Sequence, residues 1–305
     1  MVSIVVLNWN GKEFLKKCLS SVAKAVDIYR NTCEVIVIDN GSFDDSVEYI
    51  KKNFPQIHII ALRENFGFAT AMNIGMKEAR FPIVIGLNND IIVDECFIAP
   101  LINHFSNGGD IFAVASKMLL WDKKTLNFGR AIGTFRFGLF RRRLVDSQTP
   151  VNTLYACGGG FAVDRKKFLE LGGFDEDMIA FWEDADLCYR AWKHGWKTVY
   201  EPRSIIYHKF HGSYSKKCSE NDIRRISGEN YFLFMLKNIH DRVFFYQQLF
   251  LLPFLMLASI VVGKTHFAVG LMNSIKKWPL FFKKRHMEKE RATLSDRQVF
   301  RISSQ

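Results

Sequence analysis

Short apolar runs at residues 3–7, 34–38, 58–61 and 83–87 punctuate the first ninety positions of the chain. Between them, residues 12–25 and 69–79 carry apolar side chains at helical spacing, and Ser42 with Asp45 predicts a capping box for a helix running to about residue 53. Unbroken apolar strands alternating with amphipathic helices predict an α/β fold, with a mostly parallel sheet covered on both faces. Ligands on such sheets bind beyond the carboxyl ends of the strands. Asn8, Asp39 and Asn88-Asn89-Asp90 each follow an apolar strand, so the pattern collects three polar sets at one edge.

Beyond residue 120 the alternation loosens. Residues 125–148, rich in Gly, Phe and Arg and including Arg141-Arg142-Arg143, read as a mobile loop or an edge hairpin. Residues 154–163 are strand-like around Gly158-Gly159-Gly160. Two short strands are expected at 198–200 and 205–207, and a helix at 221–238. Between these lies FWEDADLCYR (181–190), where Glu183, Asp184 and Asp186 open a helix that Gly195 stops. Asp186 and Arg190, one turn apart, are expected to form an exposed helix pair.

With 305 residues, 48% of them hydrophobic, the chain can bury a large core, which excludes a disordered protein. Six cysteines without metal-ligand spacing suggest reduced, mostly buried thiols and a cytoplasmic location, and the N-terminus has no signal-peptide pattern. The net charge is +11, and ten basic against three acidic residues from 264 onward carry seven of those charges. Just upstream, residues 243–263 contain no charged side chain, although Gln247, Gln248 and Pro253 interrupt the apolar run. A basic tail beside an apolar segment suits an anionic inner-membrane surface, the alternative being a buried helix. Nucleic acid is not expected as a partner, because no aromatic platform is interleaved with the positive charge.

Asp39, at a strand end before Asn40-Gly41-Ser42, can hydrogen-bond a nucleotide's base or ribose, or simply cap a turn. A dinucleotide site is excluded because LNWNGKEFL lacks the G-x-G-x-x-G turn. Asp90, with Asn88, offers hard oxygen ligands for Mg²⁺ or Mn²⁺. The triple glycine either admits a substrate against the backbone or makes a tight turn. His208 and His211 are either a metal ligand and a phosphate contact, or surface histidines.

SIVVLNWNG, VIDNGSFDDS, ENFGFATAMNIG, GLNND, GGGFAVDRKKF, GGFDEDM, FWEDADLCYRAWKHGW and the late histidine occur in that order. Together they resemble the family 2 glycosyltransferases of GT-A fold, in particular the bacterial rhamnosyltransferase-like branch, over about residues 2–215. The resemblance implies a catalytic domain at 1–240, with a nucleotide-binding half (1–120) and an acceptor half (121–240), followed by a membrane-associating region at 241–305. It implies a nucleoside-diphosphate-sugar donor held by Asn8, Asp39, Asn65, Gly67, Asn73, Asn89, Gly159 and Gly160. It further implies a divalent metal, Mg²⁺ or Mn²⁺, on Asp90, Asn88 and His208, with Asn88 where the family's metal motif has Asp. Asp184 becomes the general base of an inverting transfer, and Phe181, Trp182 and Glu183 bind the acceptor, a glycan or lipid-linked glycan. The expected enzyme works at the cytoplasmic face of the cell membrane, with dTDP-rhamnose or a UDP-sugar as donor. The absent Q-x-x-R-W signature disfavours a processive synthase. The alternative is a catalytically inactive nucleotide-sugar-binding or membrane scaffold protein.

Overall fold

The computed structural model describes residues 1–106, 109–209, 219–263 and 265–305. The first half alternates as the hydrophobic pattern predicts: β1 (Val2–Asn8), α1 (Lys12–Tyr29), β2 (Cys33–Asp39), α2 (Ser46–Asn53), β3 (His58–Ala61), α3 (Phe68–Glu78) and β4 (Ile83–Asn88). There follow β5 (Ile91–Val93), α4 (Ile98–Asn103), β6 (Ile111–Leu120), β7 (Leu126–Phe128), β8 (Arg130–Arg136), β9 (Leu139–Val145), β10 (Val151–Asn152), β11 (Gly160–Asp164), α5 (Arg165–Glu170), α6 (Glu183–Lys193) and β12 (Lys197–His208). Helices α7 (Glu220–Asn238), α8 (Arg242–Val261), α9 (Thr265–Ile275), α10 (Trp278–Arg291) and α11 (Asp296–Ser303) complete the chain.

The main sheet runs β10-β12-β6-β11-β4-β1-β2-β3. Strands β4, β1, β2 and β3 are parallel, in a register that pairs Asn8 with Asp39 and Leu7 with Asn88. The polar strand ends therefore meet at one edge. Strand β11 enters antiparallel between β4 and β6, with Gly160 opposite Leu87, which brings the triple glycine to that same edge. A Cβ on Gly160 would lie 2.0 Å from Ile206 Cδ1, so any side chain there would displace the end of that buried isoleucine of β12.

Local expectations fail at two places. Ser42 does not cap α2: its hydroxyl accepts from the Asn10 amide (2.8 Å), and Asp45 at the helix start has φ 52° and makes no side-chain cap. The strands expected at 198–200 and 205–207 are one strand, β12, with an irregularity between Glu201 and Ile205. Pro202 has no N–H to pair, and Glu201 takes up the freed backbone by accepting from Arg203 N (3.0 Å). Residues 125–148 form β7 and the edge hairpin β8–β9. His211 and Cys218 lie outside the described residues, among which the cysteines are free thiols.

The tail returns to the domain. Asp296 of α11 is buried and accepts from Lys193 Nζ (2.9 Å), Tyr189 Oη (2.8 Å) and the amides of His240 and Asp241. Lys284 and Arg285 of α10 bind Asp175 and the carbonyls of Leu236 and Ile239. Lys277 pairs with Glu229. Of the tail's two tight basic clusters, Lys276-Lys277 and Lys283-Lys284-Arg285, Lys276 and Lys283 are exposed, while Lys277, Lys284 and Arg285 bond to the domain. Helix α9 crosses α7 closely: a Cβ on Gly270 would lie 2.7 Å from the Gly228 backbone.

Candidate active site

Hydrogen bonds tie the strand ends into one line. The buried Asn8 donates to Asp39 Oδ2 (2.8 Å) and accepts from Asn89 Nδ2 (2.6 Å). Asp39, also buried, accepts from the Ser42 amide through Oδ1 (2.9 Å). Asn88 N donates to Gly159 O, and Gly158 N donates to Asp184 Oδ2 (3.1 Å). Thus Asp39, Asn8, Asn88–Asp90, the triple glycine and Asp184, up to 176 positions apart in sequence, share one edge.

Asn65 is exposed and its Oδ1 accepts from Asn40 Nδ2 (2.9 Å) and Gly67 N (2.8 Å), which shapes the loop entering α3. Gly67 sits at φ +84°, a region that L side chains avoid. Asn73, expected on the donor, is instead a buried clamp. It donates to Phe174 O (3.0 Å) and Glu176 Oε1 (2.9 Å) and accepts from Phe174 N (2.9 Å), holding α3 to the loop before α6.

Asp90 and His208 face each other across the β4 end, with Nε2 and Oδ2 3.5 Å apart. His208 Nδ1 is 2.9 Å from Asn127 Oδ1, and in the tautomer that donates from Nδ1, Nε2 presents its lone pair towards Asp90. Asp90 Oδ1 is buried and without a hydrogen-bond partner among the described residues. A buried carboxylate oxygen without a donor, beside an oriented imidazole, fits a hard divalent cation that takes its remaining ligands from phosphate and water. Asn88 can add a neutral oxygen. Among the described residues no group of three or more His, Cys, Asp or Glu side chains is placed to hold a metal ion by itself.

The three carboxylates of α6 have three different environments. Asp186 is fully buried and accepts from Arg190 Nε (2.8 Å), Lys237 Nζ (3.0 Å) and Asn238 Nδ2 (2.8 Å). Burial alone would raise its pKa, but Lys237 and then Arg190 outweigh that and hold it below the ordinary value. The expected exposed pair with Arg190 is therefore a buried network, which Lys237 extends to Asp175 (2.7 Å). Glu183, expected against the acceptor, is 7% exposed, with Oε2 unpartnered among the described residues. Burial, then the charge of Asp184, drives its pKa well up. Asp184 is half-buried. Burial raises its carboxyl, while the Gly158 amide and the Arg142 charge pull it back.

The turn delivering Asp184 is strained. Phe181 and Trp182 take φ 65° and 72°, consecutive left-handed residues that cost roughly 1–2 kcal/mol each. Helix α7 enforces that shape: Asn230 Nδ2 donates to Ala180 O (2.7 Å) and Phe181 O (3.1 Å), and Trp182 Nε1 donates to Ser227 Oγ (3.1 Å). Trp182 also packs against Tyr231, Phe234 and Phe140. Sequence reasoning missed Arg142, which bonds the Tyr155 hydroxyl and lies over the Trp182 ring (5.6 Å). The signal was the alternation of Phe140 and Arg142 along one face of β9.

The chain is similar to known proteins in sequence and fold. Residues 3–172 match the model of the glycosyl transferase family 2 domain. Poly-beta-1,6-N-acetyl-D-glucosamine synthases of Staphylococcus aureus and Staphylococcus epidermidis are 27% identical over 210 residues, 68% of this chain and 49% of theirs. The chain thus spans about half the length of these curated relatives. The crystal structure of GalNAc-T7 with UDP, GalNAc and Mn²⁺ superposes with a TM-score of 0.63 at 22% identity, covering 79% of this chain and 48% of that one. The Pyrobaculum calidifontis mannosyltransferase PcManGT in complex with GDP-Man and Mn²⁺ covers 99% of this chain and 85% of its own, with a TM-score of 0.57 and 16% identity. These superpositions show the GT-A fold. With its family match covering more than half its length, the chain belongs to glycosyl transferase family 2.

Proposed function

We propose that this glycosyltransferase moves one sugar, with inversion, from a nucleoside-diphosphate sugar to a hydroxyl of a lipid-linked or cell-surface glycan at the cytoplasmic face of the membrane. The observation that carries the reading is Asp184, held by a strained turn and the Gly158 amide on the edge that also bears Asp90 and His208. Asp184 takes the proton of the acceptor hydroxyl as that oxygen attacks the anomeric carbon. The bond from that carbon to the diphosphate breaks, and the nucleoside diphosphate leaves without needing a protonated acid. One carboxylate therefore suffices, unlike the pair of a glycoside hydrolase. Mg²⁺ or Mn²⁺, when bound on Asp90, His208 and Asn88, supplies positive charge for the leaving diphosphate.

Residues 1–120 serve mainly the donor and 121–240 mainly the acceptor, with Gly159 and His208 reaching the donor from the second half. Asn8, Asp39, Asn65, Asn89 and the glycines at 67 and 159 shape the donor's cradle, and Phe181 with Trp182 walls the acceptor. The donor is dTDP-rhamnose or a UDP-sugar. UDP in one structural neighbour, and the N-acetylglucosamine polymer that the staphylococcal relatives make, put UDP-N-acetylglucosamine high in the panel.

Residues 241–305 carry the membrane contact. Tyr246, Phe250, Phe254, Leu257 and Val261 form an exposed stripe along α8, whereas Gln248 and Ser259 turn inward, the reverse of a helix built for water. By length and composition α8 can cross a membrane.

The test is nucleotide release from a panel of nucleotide sugars by wild type and Asp184→Asn. Turnover should fall about 10²–10⁴-fold while donor binding and melting temperature hold. A near wild-type rate in Asp184→Asn moves the base elsewhere. The staphylococcal relatives favour a second reading, a polymer-extending enzyme, which product length distinguishes: one added sugar supports single transfer, a ladder supports extension.

A further inference from the structure

Helix α8 is 20 residues long, or about 30 Å at the α-helical rise, which matches the hydrocarbon core of a bilayer. Both of its ends, however, are held by the domain. At its start the Asp241 amide donates to Asp296 Oδ2, and the Asp241 carboxylate pairs with Arg297 (2.7 Å). Just past its end, Phe267 of α9 packs edge-on against Phe232 of α7 (4.9 Å), and α9 crosses α7 at Gly270 and Gly228. Along its length, Gln248 and Leu252 share a cleft with Phe232 and Leu236 of α7. A helix that crossed the bilayer would carry α9 to the far side, away from α7. Helix α8 therefore lies along the domain, with Gln248 and Leu252 inward and its apolar stripe outward.

The β8–β9 hairpin adds a basic face beside that stripe. Its tip, Phe137-Gly138, rests on α8: a Cβ on Gly138 would lie 2.8 Å from Gln247 O, and Phe135 stacks on Phe244 (4.6 Å). Arg136 pairs with Leu139, Thr134 with Arg141 and Ile132 with Arg143. Alternation thus sets the three arginines on one outer face, while Phe135 and Phe140 are buried on the inner one. All three are exposed, and none has an ion-pair partner among the described residues. Residues 123–145 contain no Asp or Glu. Phe137 is 69% exposed at φ 53°, a conformation that bulky side chains avoid and that glycine or asparagine supplies in ordinary hairpin tips. An aromatic ring left in water returns little to the fold for that strain.

We propose that α8 lies in the plane of one leaflet and that the outer face of the hairpin binds the headgroups beside it, with Arg136, Arg141 and Arg143 on lipid phosphates and Phe137 at the acyl-chain boundary. The occupant is an anionic phospholipid surface. Three unpaired arginines match its charge, and the apolar stripe of α8 begins where the hairpin tip rests. The inference rests on the membrane contact proposed above and adds to it the mode of contact and a second element. Because the inner face of the hairpin packs on Trp182 through Phe140 (6.0 Å), binding there sets the acceptor wall close to the lipid surface.

The test co-sediments the full chain, at about 0.1 M salt, with vesicles of phosphatidylcholine alone or mixed with anionic phosphatidylglycerol. Arg136→Gln, Arg141→Gln and Arg143→Gln combined should weaken binding to the anionic vesicles about a hundredfold, roughly fivefold per arginine, and leave binding to neutral ones within about twofold. Phe137→Gly should weaken binding to both about tenfold while its melting temperature holds or rises, because glycine takes φ 53° freely. Lys24→Gln, Lys51→Gln and Lys52→Gln combined remove the same charge from exposed positions of α1 and α2 and should change binding by no more than about twofold. Quenching by lipids brominated along the chain then reads depth, as the increment that Phe250→Trp, Phe254→Trp or Val261→Trp adds to the parent protein. An in-plane helix puts all three at one shallow depth, whereas a spanning helix puts Phe254→Trp nearest the bilayer centre. Hairpin variants that bind anionic vesicles as wild type does, or a central Phe254→Trp, overturn the proposal. Hairpin variants that instead change the oligomeric state in lipid-free buffer give this face to a second copy and overturn it as well. Wild type that binds neither kind of vesicle sinks the membrane contact itself, a separate failure.

Discussion

Asp90 and Glu183 are both buried carboxylates with one oxygen unpartnered among the described residues, yet their neighbours give them opposite chemistry. Asp90 faces His208 Nε2 at 3.5 Å, and the proposed cation would satisfy both. Asp90→Ala and His208→Ala should each weaken nucleotide-sugar binding in Mn²⁺ and converge on wild-type affinity measured in chelator, as titration calorimetry can check. Unchanged affinity in Mn²⁺ would take the metal off these residues. Burial, then the charge of Asp184 and that of Asp186, pushes Glu183 the other way, towards the protonated form. Its native pKa is raised, so its contribution to stability is complete below the ordinary glutamate value and is lost as pH rises through the native one. Glu183→Gln, which cannot ionise, should flatten that alkaline loss in a plot of melting temperature against pH while leaving turnover within a few-fold. The sequence exposed the presence of Asp90, Asp184 and Glu183 through their clustering, but not their roles. Whether a carboxylate is paired, orphaned or kept neutral depends on residues far along the chain, such as Asn127, Arg142 and Lys237.

At the scale of elements, the parallel half of the sheet was legible because its signal is local. Each strand is an unbroken apolar run, and the sheet rule alone brings Asn8, Asp39 and Asn88 to one edge. What was not legible is long-range. Helix α6 shows three acids in its first turn, which reads as an ordinary start, while the structure sets Asp186 in a charge network spanning α6, α7 and α10. An exposed Asp186–Arg190 pair would contribute about 0.3–0.5 kcal/mol. Breaking a buried one by removing a partner costs about 3–5 kcal/mol, so Asp186→Asn should melt far lower than wild type. The pKa values of Asp175 and Asp186 are lowered in the native state. Their stabilisation is present above the ordinary aspartate value and lost as pH falls through the lowered native ones. Thermal melts should therefore show wild type losing stability in acid, and Asp186→Asn, already lacking part of that term, losing less. Parallel curves would mean the network is not what acid attacks.

For the whole molecule, the question is how one tail can brace the domain and also carry the exposed apolar stripe proposed to meet lipid. The two tasks are divided by helix. Helices α10 and α11 supply Lys284, Arg285 and Asp296 to the interior, and Asp296 neutralises the buried Lys193. Cutting the chain before Val243 should therefore destabilise the domain rather than simply release it, because it removes the Asp296, Lys284 and Arg285 bonds to the interior together. Truncation cannot distinguish membrane attachment from misfolding. Point changes on α8 can. Phe250, Phe254 and Leu257 are 61–70% exposed and support little of the fold, so replacing all three with serine should leave the melting temperature unchanged or raise it. Each large apolar side chain moved from water into hydrocarbon is worth about 1.5–3 kcal/mol, so together they govern partition by several orders of magnitude. The triple variant should lose co-sedimentation with anionic vesicles. Lys276→Gln with Lys283→Gln should weaken binding by about 1 kcal/mol per charge and only at low salt, since headgroup attraction is screened within a Debye length. Sedimentation of the serine variant equal to that of wild type would leave the exposed stripe without a lipid partner and end the membrane assignment.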